Sequence, residues 1–230
     1  ASVQRWLEDA VIGLNLCPFA KSVHVNDRIR YVVSEASEPE QLLKDLAREL
    51  LALNRADPEE VDTTLLIHPG VLTDFLEFND FLDAADALVD ELKLDGILQI
   101  ADFHPDYQFE GTPEGDIGNY SNRSPYPTLH LLREESITRA VESMPDTAAI
   151  FESNLDTLAR LGGDEFGMII DGVQPDTGRA LASTTGKNPS SNTRDSSSRV
   201  SAVLIAPPTS LLPRPGITTG ASGSSAWLSK

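Results

Sequence analysis

The sequence predicts an α/β domain: a mixed, mostly parallel sheet of about four strands flanked by helices, followed by a disordered C-terminal tail. Three observations carry this reading. Short β-rich stretches alternate with longer ones whose apolar residues recur every three or four positions. Two of the short stretches, "LLIHPG" and "ADFHPD", close on His-Pro, as strand ends do. Beyond Val173 the periodicity stops and Ser, Thr, Pro and Gly take over.

The elements follow in order. Val3, Trp6, Leu7, Ala10, Val11 and Leu14 form one apolar stripe, so the chain opens on a helix. It stops near Cys17-Pro18, because proline disfavours helix in the residue before it. "IRYVVSEA" (29–36) is a strand. Ser37-Glu38-Pro39-Glu40 then has the spacing of a capping box, with Ser37 as the cap. The helix behind it buries Leu43, Leu46, Ala47, Leu50 and Leu51. "TTLLIHPG" (63–70) is the second strand, and a helix over about 73–94 follows, broken by Gly96. "ILQIADFHP" (97–105) is nearly all apolar, which suits a buried central strand. "PTLHLLR" (127–133) is a fourth strand. No helix precedes it, so it is free to run antiparallel. Two short helices, about 135–143 and 152–161, complete the domain, the last ended by Gly162-Gly163.

Residues 1–172 thus form one acidic α/β domain, and 173–230 a Ser/Thr/Pro/Gly-rich tail too poor in apolar surface to offset the entropy of ordering. The formal charge is −18. The tail carries six basic and two acidic residues, which leaves −22 on residues 1–172. Such a field repels nucleic acid, whose binding rests on Lys and Arg neutralising phosphates, and it disfavours anionic membranes. It leaves room for a small anionic ligand held by a local arginine. Cys17 is the single cysteine, so there is no intramolecular disulfide and no cysteine zinc cluster. No apolar run reaches the roughly 18 residues of a membrane span, and the first ten residues lack a signal-peptide pattern. The expected location is the cytoplasm.

The chemistry-bearing residues gather in and around 103–134, which leaves a strand end and contains two of the four histidines. A long ordered loop in a compact domain usually carries function. His68 and His104 both follow strands, at the carboxyl edge where open parallel sheets bind ligands. Two chemistries fit. In the first, Cys17 is a nucleophile and His104 its base, in acyl transfer or hydrolysis. In the second, His68, His104 and Asp106 hold a divalent metal. Arg123 and Arg133 are suited to a carboxylate or phosphate, and Tyr107 and Tyr126 to hydrogen bonding or stacking. Each has a plainer reading: Cys17 as packing, the arginines as anchors for backbone carbonyls. His130 alternates with Leu129 and Leu131, so it points to the opposite face of its strand.

The strings "GLNLCPFA", "FNDFLDAADALV", "DFHPDYQFEGT" and "NRSPYPTLHLLRE" resemble the bacterial family known as domain of unknown function 1415, over about residues 3–162. The resemblance implies a single cytoplasmic domain of this length. It places Cys17, His104, Tyr107, Asn122, Arg123, Tyr126, His130 and Arg133 in the family's signature strings. It brings no activity with it, and the tail departs from the family pattern.

The leading expectation is a small-molecule enzyme with Cys17 and His104 at its centre. The alternative is a non-catalytic binding or interaction protein that uses the 103–134 loop and the acidic surface. Substrate, metal and oligomeric state are not written in the sequence.

Overall fold

A computed structural model describes residues 2–143 and 148–161. The tail expected over 173–230 and the Gly162-Gly163 cap lie outside them.

Helix α1 (Ser2–Trp6) runs straight into a π-helix (Leu7–Ile12). Val3, Trp6, Leu7, Ala10 and Val11 are buried along this stretch. Gly13 follows, where any β-carbon would collide with the Asp9 carbonyl. After a turn comes a short helix, α2 (Ala20–Val25), that periodicity did not reveal. Then follow β1 (Ile29–Val33), α3 (Pro39–Arg55), β2 (Thr63–Ile67), α4 (Phe75–Glu91) and β3 (Leu98–Phe103). A 3-10 helix (Ile117–Asn122) lies in the long loop before β4 (Thr128–Arg133), α5 (Glu134–Glu142) and α6 (Ala148–Leu161). The expected capping box does not form: Glu38 is the N-cap of α3, without a side-chain bond, and Pro39 is the first helical residue. The cap of α4 is Asp74, whose carboxylate accepts from the amides of Leu76 and Glu77.

The sheet order is β1-β2-β4-β3. Only β1 and β2 pair in parallel, and β4 runs antiparallel to both β2 and β3. The sheet is therefore mixed rather than mostly parallel. The connection from β3 contains no crossover helix, so the chain doubles back and β4 inserts beside the strand it has just left. This makes β3 an edge strand and not the central one expected from its apolar character. β2, buried at all five positions, is central.

Two apolar layers cover the sheet. Leu66, Leu98, Leu129 and Leu131 pack against α3 and α4 through Leu42, Leu46, Leu50, Phe78, Leu82 and Ala85. On the other face, Leu65, Ile67 and Phe103 pack against Trp6, Leu7, Val11, Leu16 and Cys17, with Leu158 of α6. Asn154 of α6 donates to the Leu16 carbonyl at 2.9 Å and so ties α6 to the turn that carries Cys17.

Candidate functional site

The pleat decides which residues meet. Successive strand residues point to opposite faces, so Phe103 lies on the Cys17 side. His104 turns the other way and packs against Phe75 and Phe78 of α4, with ring centroids 5.4 and 5.2 Å away. Cys17 and His104 thus belong to opposite layers of the sheet. The imidazole on the thiol's face is His130, opposite Leu65 and Ala101 in the register and 6.1 Å from the Phe103 ring.

His68 and His104 flank Phe78 from two strand ends and are both fully buried. Their tautomers follow from their partners. His68 Nδ1 donates to the Val71 carbonyl at 3.0 Å, while His104 Nδ1 accepts the Asp106 amide at 3.0 Å. Asp106 therefore meets the His104 ring with its backbone amide, and its carboxylate acts on the ring only through its charge. Burial holds the His68 imidazolium down to about pKa 4, against the help of the Val71 carbonyl, and it lowers His104 as well. Among the described residues no group of three or more His, Cys, Asp or Glu is placed to hold a metal ion. The set His68, His104 and Asp106 does not assemble as three converging ligands.

The 103–134 loop is braced by its own side chains. Buried Asn119 accepts from the Phe109 amide and the Thr112 hydroxyl, and it donates to the Pro113 and Glu114 carbonyls. Arg123 donates to the carbonyls of Tyr107 and Glu114 and lies over the Tyr120 ring at 4.3 Å. Asn122 donates to the Asp102 carbonyl at 3.4 Å, and its own carbonyl accepts the His104 amide. Tyr107 is buried against Phe75 and Phe109. Tyr126 is 41% exposed. Arg133 sends its guanidinium to three carbonyls, those of Leu53, Ala56 and Val61, at 2.7–3.4 Å. Both arginines expected to hold an anion are occupied by backbone, which is the anchoring role weighed for them in the sequence.

A half-open cavity of about 420 Å³ lies on the Cys17 face, between the N-terminal helices, the sheet and α5. Its walls are largely apolar, with Trp6, Val11, Phe19, Leu65, Phe103 and Ile137 prominent, and it reaches Cys17, Thr63 and His130. Thr63 defines the imidazole. Its hydroxyl donates to the Leu131 carbonyl at 2.6 Å, so toward His130 Nε2, 2.7 Å away, it can only accept. His130 therefore carries its proton on Nε2, and its buried Nδ1 has no partner among the described residues. Burial alone lowers this imidazolium to about pKa 4. Cys17 stands just before α2, and the backbone N–H groups of Ala20 and Phe19 pull its pKa down. Burial outweighs them and leaves it at about 11. At neutral pH the wall presents a thiol and a neutral imidazole.

The sequence reading missed this cavity. The parity of His130 against Leu129 and Leu131 was the available signal, but it does not say which helices cover that face.

Fold and site together define a mixed α/β protein with helices on both faces of a four-stranded sheet and an apolar cavity under the N-terminal helices. The chain matches, over residues 1–167, the family described as protein of unknown function DUF1415. It belongs to that family. No curated protein and no solved structure matches it. Among the described residues no helix is long and apolar enough to cross a membrane.

Proposed function

We propose that this protein binds a small, mainly apolar molecule in the cavity on the Cys17 face. The observation that carries the reading is the cavity itself. About 420 Å³ walled by apolar and aromatic side chains, with a few polar groups, is the usual form of a small-molecule site. His130, rather than His104, is then the imidazole of the site.

Thiol chemistry by Cys17, as acyl transfer or hydrolysis, is the second reading. The backbone N–H groups of Phe19 and Ala20 at the sulfur favour it. A thiol held near pKa 11 and an imidazolium near 4 disfavour it, because this pair does not exchange its proton at neutral pH. Binding without turnover fits these values better.

A thermal-shift screen of small apolar compounds tests the proposal, since a ligand that binds only the folded chain raises Tm. Ala140 lines the cavity from α5. The variant Ala140→Phe fills that space and is expected to keep its Tm while losing the ligand-induced rise. No rise with any compound, or a rise that survives in Ala140→Phe, overturns the proposal.

A further inference from the structure

The polar groups around the cavity differ in how far they are already used. Thr63 is committed to Leu131 and His130, and Arg133 to three carbonyls. Arg28 pairs with Glu59 at 3.2 Å. Asp62, the acidic residue of the lining, accepts the Ser136 hydroxyl at 2.6 Å. Arg139 is different. Its Nη2 donates to Ser136 Oγ at 3.1 Å, and among the described residues no carboxylate lies within ion-pair distance. Asp62, Ser136 and Arg139 thus form a chain that steadies the guanidinium at the exposed rim and leaves most of its five N–H donors without a partner among the described residues. The neighbouring acids on α5, Glu135 and Glu142, do not line the cavity.

From this arrangement we infer that the ligand is an amphipathic carboxylic acid: its hydrocarbon body fills the apolar cavity and its carboxylate meets Arg139 at the rim. The inference rests on the cavity being a ligand site and adds the ligand's chemistry. A planar guanidinium matches a carboxylate in bidentate fashion, and one cation at the rim suits a single negative charge. The domain's net charge of −22 over residues 1–172 makes a multiply charged head group a poor fit. The apolar walls exclude a small inorganic anion as the main occupant, because it would leave them in contact with water.

Decanoate and 1-decanol make the test, because they share a chain and differ in the head group. Trp6 lines the cavity and is a built-in reporter. The second tryptophan, Trp227, is silenced by Trp227→Phe in the 230-residue chain. Both ligands are titrated at neutral pH, below the concentrations at which they self-associate. Decanoate is expected to bind about tenfold more tightly than decanol, the gain of one charge-assisted contact at a wet rim. Arg139→Gln is expected to bring decanoate down to the affinity of decanol. Equal affinities in the parent chain, or a decanoate preference that persists in Arg139→Gln, overturn the inference and leave the cavity reading standing. Binding of neither ligand overturns the inference, and the thermal-shift screen with Ala140→Phe then decides the cavity reading.

Discussion

The Thr63 hydroxyl stands 2.7 Å from His130 Nε2 and gives its own proton to the Leu131 carbonyl, so one side chain sets both the tautomer of the imidazole and its place beside the cavity. Thr63→Val removes the hydroxyl and leaves the buried His130 Nε2–H unpaired, while the Leu131 carbonyl keeps its place opposite Thr64 in the β2–β4 ladder. The expected loss is about 1–3 kcal/mol. Thr63→Ser keeps the hydroxyl and is expected to lose about 1 kcal/mol, for the deleted methyl group. Nitrogen-15 NMR of the ring should show His130 protonated on Nε2 in the parent chain. Protonation on Nδ1 would contradict the assignment.

Arg133 crosses from β4 to the carbonyls of Leu53 and Ala56 at the end of α3 and to Val61 in the turn beyond. It acts as a remote cap for a helix C-terminus. Arg133→Met is expected to cost about 2–3 kcal/mol in urea unfolding. Arg133→Lys should recover only part, because an ammonium lacks the planar fork. Both variants should keep the cavity's ligand affinity. A loss of affinity with unchanged stability would make Arg133 a ligand residue instead.

Acid should weaken the fold before the carboxylates titrate. His68 and His130 are held near pKa 4 by burial, and His104 is lowered too. The unfolded chain, with histidines near their ordinary value of 6.5, takes up protons first as pH falls. Stability is therefore full above about 6.5 and is lost progressively down to about 4, by as much as about 3 kcal/mol each for His68 and His130. Charging either ring creates a second N–H with no acceptor placed for it among the described residues. Urea midpoints across that range should fall with pH, and His68→Asn and His130→Gln should each flatten the slope. A slope unchanged in both variants would show that these histidines are not its source.

Cys17 should resist alkylation. A rise from 9.0 to about 11 lowers the thiolate fraction about a hundredfold at neutral pH. Burial slows the reaction further. Iodoacetamide labelling followed by mass spectrometry should be slow in the folded chain and fast in urea. Labelling of the folded chain as rapid as that of a free thiol would favour the nucleophile over the packed side chain.

Much of this molecule was legible in its sequence. The alternation of strands and helices and the antiparallel freedom of β4 follow from local pattern. The anchoring role weighed for Arg123 and Arg133 also matches their bonds to carbonyls. The capping box at Ser37 failed because Pro39 takes the first helical position and makes Glu38 the N-cap. Helix α2 was missed because none of its six residues is buried, so no stripe marks it.

The pairing of Cys17 with His104 failed for a different reason. Cys17 ends the first helical stretch and His104 follows a strand, and the pleat sends Phe103 and His104 to opposite faces. The sequence by itself determined most of the elements, the net negative charge, the lone thiol and the parity of each strand. These depend on neighbours a few positions apart. Only the tertiary structure decided that β4 enters between β2 and β3, that the N-terminal helices cover the His130 face, and that a cavity remains between them. Strand order and layer assignment depend on contacts between distant segments, and a one-residue change of register would have turned His130 to the other layer.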